Sequence, residues 1–428
     1  MMEIQQAAEL VMDLAKKNGQ EKVEVLVERD NLIEVNILER KVEKVEQSTS
    51  LGLGIRVINN GRTGIASTER LSHESIKRTF LNACENSKLQ DPTKIELLEP
   101  PKNIPDSSIL KIYNPELEKL SLEDLTEFGF SIEESVNYAD KRVVSIPYLG
   151  VSRGSSESFL LSSRGTSNRQ KSNEVSAWCS PLLQDKDSRK SGIHFLHRRE
   201  LDKKEGEKIG FLAVKKASEM LNASPIPGCK IPVVLDEYVA PRLLSMFFGA
   251  FSAELAQRGM SFLKGKLGEK ISISELTLID DPHLIGANNS CYIDSEGCLT
   301  KPLPIIEEGY FSNFMYNVES ARKENKFSTG HAFRSYSSGI STRSHNLVWP
   351  KGSYSLEKLC SLTQKCLLVT QLEGQAGCNS ISGDISIGVQ GFLYENGRRI
   401  QPVENVTVAG NFFDILFNSL TINFFLLS

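Results

Sequence analysis

Val23, Val25 and Val27 alternate with Lys22, Glu24 and Glu28, Leu26 being the exception. A period of two sends successive side chains to opposite faces, so the run reads as a strand with one buried face and one mostly wet face. Asp30-Asn31 is expected to turn the chain. Residues 32–38 and 42–45 continue the pattern, and residues 51–58 form a strand spaced by glycines. Asn59-Asn60-Gly61 is a strong hairpin signal, because Asn and Gly tolerate the positive φ that tight hairpin turns need; residues 64–67 return. In front of this meander, residues 4–17 place Ile4, Ala8, Val11, Met12, Leu14 and Ala15 at helical spacing before Asn18-Gly19 stops them. Behind it, Ser72 is a natural N-cap, with Glu74 in the first turn of a second helix. Residues 1–90 are therefore expected to form an α+β domain of helix, antiparallel meander and helix.

With 428 residues the chain exceeds one ordinary core, so further domains are expected. Residues 91–112 carry Pro92, Pro100, Pro101 and Pro105 without periodicity and read as a linker or long loop. Residues 113–226 read as a central α+β region. A helix over 121–138 is capped by Ser121-x-x-Asp124, strands cover 143–151 and 157–162 with a turn at Ser163-Arg164-Gly165, and a helix covers 207–222. Pro225-Ile226-Pro227-Gly228 marks a boundary. Residues 227–428 are expected to be β-rich, barrel- or sandwich-like, with one long helix over 237–255.

A net charge of -4 argues against a general nucleic-acid surface, which needs clustered Lys and Arg to displace counterions from phosphate. The eight cysteines form no C-x-x-C pair and read as reduced thiols. Met1-Met2-Glu3-Ile4 brings an early acid and no unbroken apolar core, unlike a signal peptide, so a cytoplasmic location is expected. The apolar end, residues 421–428, falls short of the roughly 20 residues that span a bilayer, so no membrane association is expected.

Near the C-terminus stands Gly374-Gln-Ala-Gly-Cys-Asn-Ser-Ile-Ser-Gly383-Asp384-Ile-Ser, followed by Gly391-Phe-Leu-Tyr-Glu395-Asn396-Gly397, Pro402-Val403 and Val408-Ala409-Gly410-Asn411. Upstream lie Ile293-Asp294-Ser295-Glu296-Gly297 and Ser328-Thr329-Gly330-His331-Ala332. In this order the motifs resemble the TldD/PmbA family, specifically its PmbA (TldE) branch. The resemblance covers most of residues 20–420 and is strongest from 290 to 412.

The resemblance implies a two-subunit peptidase acting on unfolded or leader peptides. A TldD-like partner holds zinc in His-Glu-x-x-x-His, two imidazoles binding the metal and the carboxylate serving as base. Counted back from Arg258, those positions fall on Ser245, Met246 and Ala250, none of which holds zinc or takes a proton. The expectation is a non-catalytic subunit without cofactor that encloses extended peptide, paired with the TldD-like chain or with a second copy of itself. Asp294, Glu296, Gly297, His331, Gly383 and Asp384 are the residues expected to line a cleft or shape turns. Family members usually continue past residue 418 with another strand, so a shortened end is expected. A rival site is His194-x-x-His197, able to bind a metal with Glu200 or Asp202 if the segment were helical. Gly52-x-Gly54 lacks the third glycine and helix start of a dinucleotide fingerprint, and there is no P-loop and no Gly-x-Ser-x-Gly elbow.

Overall fold

The local signals for the helix caps and for the Asn60-Gly61 turn are used in the computed structural model, which describes residues 2–418 except 94, 350, 351, 353, 375 and 376. The apolar end at 421–428 lies outside the described residues. Helix α1 (Ile4–Lys17) buries one stripe, including Ile4, Ala8 and Val11. Strands β1 (Val23–Leu38), β2 (Lys41–Asn59) and β3 (Arg62–Thr68) follow, with Asn60 and Gly61 at φ 52° and 77° in the second hairpin. Ser72 Oγ accepts the Ser75 N–H to cap α2 (His73–Lys88). Ser121 and Asp124 form a capping box on α3 (Leu122–Ala139). Then come β4 (Val143–Ser162), β5 (Ser167–Asp185), β6 (Ser188–Ser191), β7 (His194–Arg198) and α4 (Lys203–Glu219).

The expected turn at Asp30-Asn31 does not occur; β1 runs straight through and the chain reverses at Glu39-Arg40, both at positive φ. Cross-strand side chains hold the two polar residues extended. Ser50 Oγ donates to Asp30 at 3.2 Å, and Thr49 Oγ1 donates to Asn31 at 3.0 Å.

The strands form one seven-stranded sheet in the order β3-β2-β1-β4-β5-β6, with β7 also on β5. The first and second sequence segments therefore share a sheet, because β1 lies between β2 and β4. Odd-numbered residues of β1 face the helices. Val23, Val25 and Val27 pack with α1 and α2, and Val35 and Ile37 with α3 and α4. Residues 91–112 are strapped to the sheet, Ile95 and Leu97 burying against Ile58.

In the last segment β8 (Val233–Leu235) pairs in parallel with β15 (Lys365–Glu373), which continues to β16 (Asp384–Glu395) and β17 (Arg398–Asn411). A second sheet joins β9 (Leu278–Asp280), β10 (Leu303–Glu307), β11 (Tyr310–Phe311) and β14 (Leu347–Val348); β12 (Ala332–Phe333) pairs with β13 (Ser341–Thr342). Both four-stranded sheets bury residues in one core, Ile305 from one and Val369 and Ile387 from the other among them. The fold is α+β, as read from the sequence. The expected long helix over 237–255 is instead three short pieces: α5 (Val239–Ser245), a 3-10 turn (Phe248–Phe251) and α6 (Ala253–Gln257). Met315 separates the 3-10 turn from α6, its N–H donating to Phe251 O at 2.9 Å and its carbonyl accepting the Ala253 N–H at 3.0 Å. Those two groups are lost to an intrahelical ladder. No helix among the described residues is long and apolar enough to cross a membrane.

The wet face expected for β1 is dry near its start. Glu24 is 2% exposed, and loops of the last segment cover it. Gly52 and Gly54 permit this approach: a Cβ on Gly54 would stand 1.9 Å from the Tyr336 carbonyl oxygen, and one on Gly52 2.4 Å from its ring. Gly54→Ala is expected to cost about 3 kcal/mol, since a main-chain atom must move to admit the methyl. Urea unfolding checks this, and an unchanged midpoint would mean that Tyr336 does not seat on β2 in solution.

Candidate functional site

The covered face of the sheet carries charge. Arg56 on β2 donates from Nη2 to Glu24 at 3.1 Å and from Nη1 to Glu296 at 3.2 Å. Arg334 lies against the other oxygen of Glu24. Glu296 also accepts the Val318 N–H at 2.8 Å, at the start of α7 (Val318–Lys323). All four charged side chains are at most 4% exposed. Burial pulls the Arg56 guanidinium down, but Glu24 and Glu296 outweigh it and leave it above its ordinary value. Burial pushes Glu296 up, against the pull of Arg56.

Asp294 sits beside this network and serves the backbone. It accepts the N–H groups of Glu296 and Cys298 at 2.9 Å each and that of Ala332 at 3.0 Å. Burial, then the Glu296 charge, pushes its carboxyl up to about 7 despite those bonds. Gly297 takes φ 80°, where Thr166 stands 3.0 Å from the position of a Cβ. His331 is buried, with Nε2 2.8 Å from Asp280, whose same oxygen accepts the His345 N–H. Asp294, Glu296, Gly297 and His331 are thus brought together. Gly383 and Asp384 are elsewhere, at the start of β16. Gly383 at φ 83° lies under the Phe413 ring, and hydrogen bonds from Ser382 and Asn411 hold Asp384 below the usual carboxylate range.

Between the sheet and the last segment lies a cavity of about 220 Å³, lined by polar and apolar side chains in like measure. Glu28, Ser158 and Gln170 form a cross-strand row on its sheet wall, and Asp294, Arg334 and His345 face them. Cys291 Sγ lies 3.6 Å from His345 Nδ1 in the same wall. Burial, then Asp294 and Asp280, pushes that thiol up to about 12, so the pair holds a neutral thiol rather than a thiolate nucleophile.

The zinc positions implied by the resemblance do not fit a metal. Ser245 Oγ donates to the Arg242 carbonyl at 2.8 Å, Met246 packs partly buried against the core, and Ala250 is 1% exposed within it. The rival pair is divided. On β7, residues three apart point to opposite faces, so His194 is buried while His197 is exposed, 2.8 Å from Ser176 Oγ. Asp202 is spent on capping α4. Among the described residues no three His, Cys, Asp or Glu side chains gather as a metal-binding set.

Sequence profiles of the PmbA/TldA metallopeptidase domain 1, central domain and C-terminal domain match residues 23–87, 115–221 and 228–423. This chain belongs to the PmbA/TldD family. It is 29% identical to a metalloprotease PmbA homolog of Haemophilus influenzae, over 98% of this chain and 91% of the relative. It is 28% identical to metalloprotease PmbA of Escherichia coli O157:H7, over the same shares. The crystal structure of TldE from Thermococcus kodakarensis superposes with a TM-score of 0.86 at 25% identity, covering 98% of this chain and 94% of that one. Within this PmbA/TldE fold, sequence reasoning missed Glu24, Arg56, Arg334 and Tyr336. The available signal was charge at Glu24 and Arg56, both flanked by apolar residues inside strands.

Proposed function

We propose that this chain is a TldE-type subunit of a cytoplasmic peptidase, non-catalytic by itself and paired with a TldD-like chain that holds the zinc. One observation carries the reading: the positions for two imidazoles and a general base are Ser245, Met246 and Ala250, with Ala250 sealed in the core. The subunit's work is then to wall off the partner's site, so that only extended, unfolded or leader-type peptide enters. Similarity to a TldE structure along nearly the whole chain supports this assignment.

The test is reconstitution. The purified chain is expected to retain less than stoichiometric zinc after dialysis and to cleave no peptide. Activity appears on adding a TldD-like chain. Ser245→Ala and Met246→Ala then leave turnover of the complex within about twofold, a barrier change under about 0.5 kcal/mol. Activity of this chain alone, or loss of turnover in either variant while the complex still assembles, would refute the reading. A stable homodimer that binds peptide and ignores the partner would make it a scaffold instead.

A further inference from the structure

A strand at the edge of a sheet offers unpaired N–H and C=O groups to any other chain, and proteins shield such edges with short strands, charge, bulges or cover. Most sheet edges here are shielded in these ways. β3 lies beside α2, and its Ile65 carbonyl accepts the Asn86 carboxamide at 2.8 Å. β6 has four residues and carries Arg189 and Lys190, β8 has three, and β11 and β14 have two each. The part of β2 that runs beyond β3 carries Lys41, Glu43, Lys44 and Glu46.

β17, the edge of its sheet, is shielded only over its first half. There the Ser224 N–H donates to Pro402 O at 3.3 Å, and the Ser224 carbonyl accepts the Glu404 N–H at 3.4 Å. A bulge follows, with Asn405 at φ 55°. Beyond it, Val406-Thr407-Val408-Ala409-Gly410-Asn411 has no charge and no proline. The neighbouring strand β16 shows where its backbone groups point. Ile385 pairs with Gly410 on one side and Cys378 on the other, and on that far side the Ser386 N–H donates to Gly377 O at 2.7 Å. Ser386 and Ala409 are therefore one of the ladder's non-bonded pairs, and the N–H and C=O of Ala409 point outward. Those of Thr407, two residues back, do the same. None of these four groups has a partner among the described residues. The Thr407 and Ala409 side chains are exposed, whereas Val406 and Val408 are half-buried against the core.

We propose that residues 406–411 of β17 are a contact surface for a second copy of this chain, the two edges pairing antiparallel about a two-fold axis perpendicular to the sheet. An edge can meet itself under such an axis, which keeps every side chain on its own face. The segment has no charge, so no like charges meet across the axis, and nothing in it selects an acidic or a basic partner. Val406 and Val408 share the core face, so the apolar layers of the two copies adjoin across the new strand pair. A peptide of arbitrary sequence would match only the backbone. A single strand pair is a small interface, so the association is weak and concentration-dependent. It requires no peptidase partner.

Sedimentation velocity on the full-length chain over a concentration series tests this. Wild type is expected to pass from monomer to dimer as concentration rises. Thr407→Lys combined with Ala409→Lys sets like charges across the axis in any register, and so does Thr407→Glu combined with Ala409→Glu. Each double variant alone is expected to associate at least about tenfold more weakly, and their equimolar mixture to recover the dimer. Both positions are exposed, so the melting temperatures should stay within a few degrees of wild type. If a double variant fails to fold, hydrogen exchange on wild type decides the question: the Thr407 and Ala409 amides gain protection as concentration rises. A wild type that stays monomeric, a dimer that both charged variants keep, or a mixture that remains monomeric overturns the proposal. Protection of those amides in the monomer would give the edge to another part of the same chain, and protection only on adding a TldD-like chain would give it to that subunit; either result overturns the proposal too.

Discussion

Arg56→Met is expected to destabilise the protein by about 3–5 kcal/mol, the usual cost of removing one partner from a buried ion pair. Methionine matches the stem, but Glu24 and Glu296 are left in a dry joint without the group that bridges them. Arg56→Lys should rescue little, because one ammonium cannot replace two guanidinium nitrogens placed 3.1 Å and 3.2 Å from different carboxylates. The triple variant with Glu24→Gln and Glu296→Gln should recover part of the loss, since no charge is then stranded on the carboxylate side. Guanidinium unfolding of the three variants measures this. A loss below about 1 kcal/mol for Arg56→Met, the range of exposed pairs, would mean that water enters the joint.

His194 should make the protein acid-sensitive. Burial, then the charges of Lys216, Lys208 and Arg198, lowers its imidazole from 6.5 to about 4, and its Nδ1 has no partner among the described residues. The unfolded chain takes up this proton near pH 6.5 and the folded chain only near 4. Stability is therefore full above pH 6.5 and is lost as pH falls toward 4, by roughly 2–3 kcal/mol. Asp294 has the opposite sign. Its raised carboxyl contributes most at low pH, and that contribution is lost as pH rises through about 7. Comparing wild type with His194→Leu cancels Asp294 and isolates the histidine. The variant is expected to lose less stability than wild type between pH 7 and 4.5 in urea titrations. Parallel curves would show that His194 protonates without unfolding cost, as a solvent-reachable ring does.

What the sequence disclosed was local. Asn60-Gly61, Ser72 and Ser121 act through bonds to residues only a few positions away, so their types suffice to place turns and caps. The misreadings came from contacts at a distance. Asp30-Asn31 has the composition of a turn, but Thr49 and Ser50 on the neighbouring strand satisfy both side chains. The 237–255 segment has the composition of a helix, but at its last interruption Met315 takes the backbone groups of Phe251 and Ala253. Glu24 looked wet because nothing nearby in the chain announces Arg334. At the site, Asp294 and Gly297 were visible as a turn. Glu296 was visible only as part of that turn, because its partner Arg56 is 240 positions away.

The strand order also sets a timetable. The Val23 N–H meets Ser163 Oγ, 140 positions further on, and Glu28 waits for a backbone N–H 308 positions away. At about 5–20 residues per second, a ribosome leaves one edge of β1 without its neighbour for on the order of ten seconds. On the helix side, Val23, Val25 and Val27 are covered early, by α1 and α2. The opposite side stays bare until residues 296–336 have emerged. That side carries Glu24, Glu28 and Arg56 around a single Leu26, and water solvates the three charges well during the wait, where further valine or leucine would recruit other nascent chains. The ions in the joint thus have a use before the joint exists: they keep a half-made sheet in solution until synthesis delivers what will bury them.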